Sequence, residues 1–227
     1  MMRRWIVGAT LVGTLACVMV AYAVGRAAAP AVRAVPRLTP QSYNTRGVVK
    51  LRHADYSGAL ADFGQAIRLD PHYAVAYYNS GLAREYLRDY TGAVAGYTQA
   101  LRYNPQDGGS YYNRGLSRFY LKDYRGALAD YTRAIRLAPT NGAAYYNRAF
   151  TRETLKDDRG ALADYTGALR IYPAFANAYY HRGLVRHALK DNRGAVADLQ
   201  KAARLYAAQG NKSGHALAEA ALHTMRH

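Results

Sequence analysis

Apolar residues recur along most of the chain at steps of three and four, the spacing that gathers side chains on one face of an α-helix. Between residues 111 and 135, Tyr111, Gly115 and Leu121 fall on one side of a first predicted helix, and Ala127, Tyr131, Ala134 and Ile135 on one side of a second. Asp123 stands between the two. A carboxylate there accepts from the free N–H groups of a helix start and favours the positive end of its dipole. Pro139 follows the second helix and closes the pair, since proline cannot continue a helix.

This pair repeats. Gly47, Gly81, Gly115, Ala149 and Gly183 form one column at a period of 34 residues. Ala59, Ala93, Ala127, Ala161 and Ala195 form a second, and Ala66, Ala100, Ala134, Ala168 and Ala202 a third. Asp55, Asp89, Asp123, Asp157 and Asp191 precede the second helices, and Pro71, Pro105, Pro139 and Pro173 close the first four units. Five units in unbroken register, over 40–209, predict an all-α stack of helix pairs whose neighbours bury each other's apolar faces. Gly210 to Gly214 then interrupts the pattern, and His215 to Met225 reads as a short helix, so 210–227 is assigned as a cap for the fifth unit.

Period, paired helices and columns resemble the tetratricopeptide repeat family, whose pattern is W-x2-L-G-x2-Y, then A-x3-F, A and P. Tyr43, Tyr77, Tyr111, Tyr145 and Tyr179 stand at the Trp place, and Phe63, Tyr97, Tyr131 and Tyr165 at the Phe place. The resemblance implies a right-handed solenoid of five tandem helix-turn-helix repeats with a C-terminal capping helix. The chain departs from the pattern where the family has Leu (Arg46, Ser80, Arg114, Arg148, Arg182) and Tyr (Lys50, Arg84, Arg118, Arg152, Arg186). Its fifth unit has Leu199 for the aromatic and Ala207 for the proline.

The N-terminus is of a different kind. Arg3 and Arg4 precede an uncharged stretch from Trp5 to Gly25, followed by Arg26, Arg33 and Arg37. That is the layout of an export signal or a membrane anchor, and residues 1–25 are expected to act as one or the other. Ala21-Tyr22-Ala23 supplies the small-x-small pattern of a cleavage site. Residues 26–39, with Pro30 and Pro36, read as a linker. The expected location is a bacterial cell envelope, in the periplasm or anchored in the inner membrane and facing outward.

Charge narrows the choice of partner. The 227-residue chain carries 31 Lys and Arg against 15 Asp and Glu, a formal charge of +16, which favours acidic partners. Four units pair an Arg in the first helix with an Asp in the second: Arg46 with Asp62, Arg114 with Asp130, Arg148 with Asp164, and Arg182 with Asp198. In the remaining unit both change together, to Ser80 and Gly96. A joint change is what ion-pair partners show, so these arginines are expected to be bound within their own repeat. Arg68, Arg102, Arg136, Arg170 and Arg204, with Arg88, Lys122, Lys156 and Lys190, lie at helix C-termini, where cations complement the dipole. The column from Lys50 to Arg186 and the trio Arg125, Arg159 and Arg193 have no evident partner and are expected to form basic stripes.

The sequence contains no nucleophile elbow, phosphate loop or zinc-protease motif, so no enzymatic activity, cofactor or metal is assigned. Cys17 is the single cysteine. In tetratricopeptide proteins that bind extended peptides, first helices line a groove where an Asn bonds the ligand backbone. The resemblance puts Thr45, Asn79, Asn113, Asn147 and His181 at that place, preceded by Tyr78, Tyr112, Tyr146 and Tyr180 and followed one turn on by Leu82, Leu116, Phe150 and Leu184. An amide donates and accepts at once, which suits a backbone whose side chains differ. Glu85 and Glu153 are expected to face this groove beside Arg52, His181 and His187, leaving it near neutral. The expected function is a scaffold binding an extended protein segment. The alternative is a basic surface that adheres to an anionic envelope polymer, a lipid or nucleic acid, with nucleic acid disfavoured by export.

Overall fold

The computed structural model describes residues 38–225, and among them it has eleven α-helices and no strand. The first helices of the five units are α1 (Pro40–Arg52), α3 (Ala74–Tyr86), α5 (Gly108–Tyr120), α7 (Gly142–Thr154) and α9 (Ala176–Ala188). Their partners are α2 (Tyr56–Leu69), α4 (Tyr90–Tyr103), α6 (Tyr124–Leu137), α8 (Asp158–Ile171) and α10 (Asn192–Ala208), and α11 (Lys212–Thr224) follows. The signal or anchor over 1–25, and all of the linker but Leu38 and Thr39, lie outside the described residues. Among the described residues no helix is long and apolar enough to cross a membrane.

Each second helix starts as its Asp column dictates. Asp55, Asp89, Asp123, Asp157 and Asp191 accept from the N–H of the glycine three residues on, at 2.9–3.0 Å. The same aspartates finish the preceding helix: Asp123 N–H donates to the Arg118 carbonyl, and Lys122 N–H to that of Phe119. This pair of hydrogen bonds marks a left-handed helix terminus, and it requires a positive φ at Ala54, Arg88, Lys122, Lys156 and Lys190, which runs from 60 to 68°. The cations read as dipole partners thus also occupy positions where glycine is the usual residue. Leu121 lies one residue past α5 and is exposed, because the chain turns away before it reaches the packed face. The last helix starts three residues earlier than its apolar pattern indicates, since Asn211 caps it by accepting from Gly214 N–H.

Within a unit the two helices touch through the small column. A Cβ at Gly47 would stand 2.6 Å from the Phe63 ring, and one at Gly115 would stand 3.0 Å from Tyr131, so the aromatic of the second helix occupies the space a side chain would need. Tyr97, Tyr131, Tyr165 and Phe63 are fully buried by this fit. The hydroxyls of Tyr97 and Tyr165 are not wet. They donate to Glu85 and Glu153 at 2.9 and 2.5 Å, which satisfies polar ends that burial would otherwise penalise. Between units, first helices touch the first helices on either side, whereas second helices do not touch one another. First helices therefore form the inner layer. The apolar core is a string of small clusters, such as Ala59–Phe63–Ala83 in the first units and Ala149–Tyr165–Val185 in the last.

Candidate protein-binding inner face

The Asn column lies on the inner layer and ties successive units together. Asn79 Nδ2 donates to Asn44 Oδ1 at 2.8 Å, Asn113 to the Tyr78 hydroxyl at 3.0 Å, and Asn147 to the Tyr112 hydroxyl at 3.0 Å. Each amide thus reaches the preceding unit's residue in the tyrosine column, with Asn44 in that place in the first unit. Tyr78, Tyr112 and Tyr146 lean in turn on the buried Tyr97, Tyr131 and Tyr165 of their own units, with ring centroids 5.7–6.1 Å apart. Burial pushes the Tyr78 and Tyr146 hydroxyls above their ordinary values. The amides are therefore held in place by the fold, and no hydrogen bond among the described residues uses the side-chain oxygens of Asn79, Asn113 and Asn147.

The last unit changes the chemistry of the ladder. His181 takes the Asn place, and its Nδ1 lies 3.2 Å from Glu153 Oε2. Its ring stacks on Tyr165 at 5.9 Å and meets Phe150 and Tyr180 edge-on at 5.2 and 5.3 Å. Burial acts to raise the Glu153 carboxyl, but the hydrogen bond and charge interaction with His181, with the Tyr165 hydroxyl, outweigh it and hold it below its ordinary value. Glu85 is fully buried beneath Tyr97 and does not face the groove as the helical register implied. Thr45 and His187 are exposed, and His187 Nδ1 lies 2.8 Å from Asn192 Oδ1. Of the residues placed at the groove, Arg52 is exposed, and the half-buried ones are the tyrosines, the amides, Leu82, Leu116, Phe150 and Leu184, with one carboxylate–imidazole pair.

The paired charges fall away from this face. Arg46, Arg114, Arg148 and Arg182 bind Asp62, Asp130, Asp164 and Asp198 through two parallel bonds of 2.5–2.9 Å. The column from Lys50 to Arg186 is not free, as its positions in sequence implied. Lys50, Arg118, Arg152 and Arg186 bind the same four aspartates at 2.8–2.9 Å. Each buried carboxylate needs more than one donor to satisfy its oxygens, and two cations from one helix supply them. Arg84, whose unit has Gly96 in the Asp place, binds the cap Asp89 instead. Arg125, Arg159 and Arg193 are exposed, as are Arg68, Arg102, Arg136, Arg170 and Arg204.

No curated protein matches the chain in sequence. Its fold is similar to those of several solved structures. The crystal structure of YrrB, titled a TPR protein with an unusual peptide-binding site, is 22% identical with a TM-score of 0.71, over 82% of this chain and 93% of that one. MamA from Desulfovibrio magneticus is 21% identical with a TM-score of 0.70, over 75% and 96%. PilF of Pseudomonas aeruginosa is 16% identical with a TM-score of 0.63, over 81% and 90%. Tetratricopeptide repeat family models match residues 44–107, 110–141 and 176–209, more than half of the sequence in all. Sequence period, capped helix pairs and these matches agree, and the chain belongs to the tetratricopeptide repeat family.

Proposed function

We propose that this protein is an interaction scaffold whose inner face binds an extended segment of another protein, and that residues 1–25 carry it out of the cytoplasm or hold it at a membrane. The observation that carries the binding reading is the ladder of Asn79, Asn113 and Asn147. Their amides are oriented by Asn44, Tyr78 and Tyr112, and their oxygens are left unused beside half-buried rings. Preorganised acceptors at repeat spacing suit a peptide backbone, because little side-chain entropy is lost when the ligand arrives. That YrrB is described as having a peptide-binding site supports the same class of ligand.

The exposed arginines favour a second reading, adhesion to an anionic polymer, and the two readings respond differently to mutation and salt. With groove binding, changing Asn79, Asn113 and Asn147 together to Ala weakens a recovered partner at least tenfold, each lost bond being worth roughly 0.5–1.5 kcal/mol. Reversing Arg125, Arg159 and Arg193 to Glu then changes little, and the salt dependence is shallow. Retained binding by the Asn variant, with loss by the charge-reversed one and a steep fall in salt, overturns the proposal. The amides also join units, so affinity is compared well below each variant's melting temperature. Export is tested separately by fusing residues 1–39 to a reporter active only outside the cytoplasm; an inactive fusion rejects it.

A further inference from the structure

Three of the units share a network that crosses the boundary between repeats. Arg114 Nη1 donates to Thr98 of the preceding second helix at 3.1 Å while its other nitrogens hold Asp130. Arg148 does the same between Thr132 and Asp164, and Arg182 between Thr166 and Asp198, with hydroxyl distances of 3.0 and 3.3 Å. At the second unit the three corresponding residues are Gly64, Ser80 and Gly96. All three members are missing together. What remains is a cleft of about 360 Å³ among α2, α3 and α4, lined by Leu60, Gly64, Ile67, Ala95 and Gly96, with Ala95 exposed. A Cβ built at Gly64 would meet nothing within 4 Å. Because the second helices form the outer layer, this opening is away from the Asn ladder.

Two neighbours respond to the missing network. In the other units a guanidinium lies over the tyrosine of the Trp place, 5.0–5.7 Å from its centroid. Tyr77 stacks on Tyr103 instead. Arg118, Arg152 and Arg186 stand 3.5–3.6 Å from their cap aspartates while they bind the buried Asp. Arg84, with no buried Asp to bind, has closed to 2.7 Å on Asp89. Those two side chains are 42% and 43% exposed, and a pair so placed gains little over solvation by water.

We propose that this outer cleft is a second docking site, for a protein segment that presents a carboxylate beside an aliphatic or aromatic side chain. The apolar side chain enters over Gly64 against Leu60 and Ile67, whereas Gly96 is closed by α3, a Cβ there standing 3.0 Å from the Gly81 backbone. The carboxylate binds Arg84, supplying from outside the anion that Gly96 does not, with Ser80 and Gln99 as further donors at the rim. The incoming carboxylate takes Arg84 from Asp89, and a partner's arginine meets the Arg84 guanidinium with no carboxylate among the residues that line the cleft. The formal charge of +16 steers an acidic partner toward the surface in the first place.

The test uses a phage-displayed random dodecapeptide library selected on the full chain and counter-selected on Gly64→Leu, which fills the cleft from a position with open space around it. The expected peptides carry Asp or Glu next to an apolar residue, and their affinity falls at least about tenfold with Arg84→Glu or with the peptide's own Glu→Gln change. Ser80→Leu is a second filling variant, adding bulk among the lining residues without adding a cation, and it gives the same loss. These peptides keep their affinity for the Asn79, Asn113 and Asn147 triple variant, whereas inner-face ligands lose theirs, so failure of either proposal is read independently. Recovery of no peptide sensitive to both filling variants overturns the second site. So does a sensitive set without acidic residues, or one indifferent to Arg84→Glu.

Discussion

At the scale of single residues, the tightest constraint is the turn between the two helices of a unit. Lys122 sits at φ 64° so that its own N–H and that of Asp123 can close the end of α5, and Asp123 then opens α6. A side chain in this left-handed conformation costs roughly 1–2 kcal/mol that glycine does not incur. Lys122→Gly is therefore expected to stabilise the protein by about 0.5–1 kcal/mol, net of the extra chain entropy of glycine and the lost dipole contact. Urea unfolding of the single variant and of Lys156→Gly measures it, and destabilisation at both sites would mean that the cation contributes more than the backbone strain costs. No property of the sequence marks these turns as left-handed, since four of the five positions carry Arg or Lys and one carries Ala. The caps were legible because Asp before an apolar run has one common use, whereas a lysine there has several.

At the scale of the helix pair, the buried aspartate is the organising group. Arg114 and Asp130 have side chains only 14% and 3% exposed, and Asp130 also binds Arg118. A double-mutant cycle on Arg114→Ala and Asp130→Ala should give a coupling of roughly 1–2 kcal/mol, above the few tenths expected of a surface pair. Additive effects would reassign Arg114 as a freely available cation. In the first unit the Arg46 hydrogen bond holds the Asp62 carboxyl below its ordinary value, with Lys50 adding to the effect. Its stabilising contribution is therefore complete above the unfolded carboxylate pKa of about 4 and is lost as pH falls through the lower folded value. Asp62→Asn should flatten the acid limb of the stability curve; an unchanged limb would place the acid sensitivity in other carboxylates. The Arg–Asp pairing could be read from the sequence because one unit loses both members at once. The second cation could not, since Arg84 persists in the unit where Gly96 replaces the aspartate. The cleft was only half legible: Ser80 and Gly96 vary together within a unit, but Gly64 joins their network only through the contact of Thr98 with Arg114 across the boundary between repeats.

At the scale of the whole repeat array, contacts run only between neighbours, so stability is approximately a sum of unit and interface terms with the ends held least. The fifth unit is the last of the array, and α11 is what covers it. Tyr206, Ala202 and Ala203 are buried against Ala218, while Gly214 packs on the Tyr206 ring, whose hydroxyl donates to Asn177 at 2.7 Å. Covering by α11 is one source of the burial that pushes the Tyr206 hydroxyl up to about 12. Ending the chain at Gln209 uncovers this patch and should cost roughly 2–4 kcal/mol of local stability, in proportion to the apolar area returned to water. The loss should be graded along the array. Amide hydrogens of α9 and α10 are expected to exchange much faster, those of α7 and α8 modestly faster, and those of α1 to α4 at unchanged rates, because each interface transmits only to the next. Hydrogen exchange read by mass spectrometry on the full and shortened chains measures this gradient. A uniform increase from α1 to α10 would show that the five units unfold as one cooperative body, and α11 would then be a part of a single domain core and not a cap.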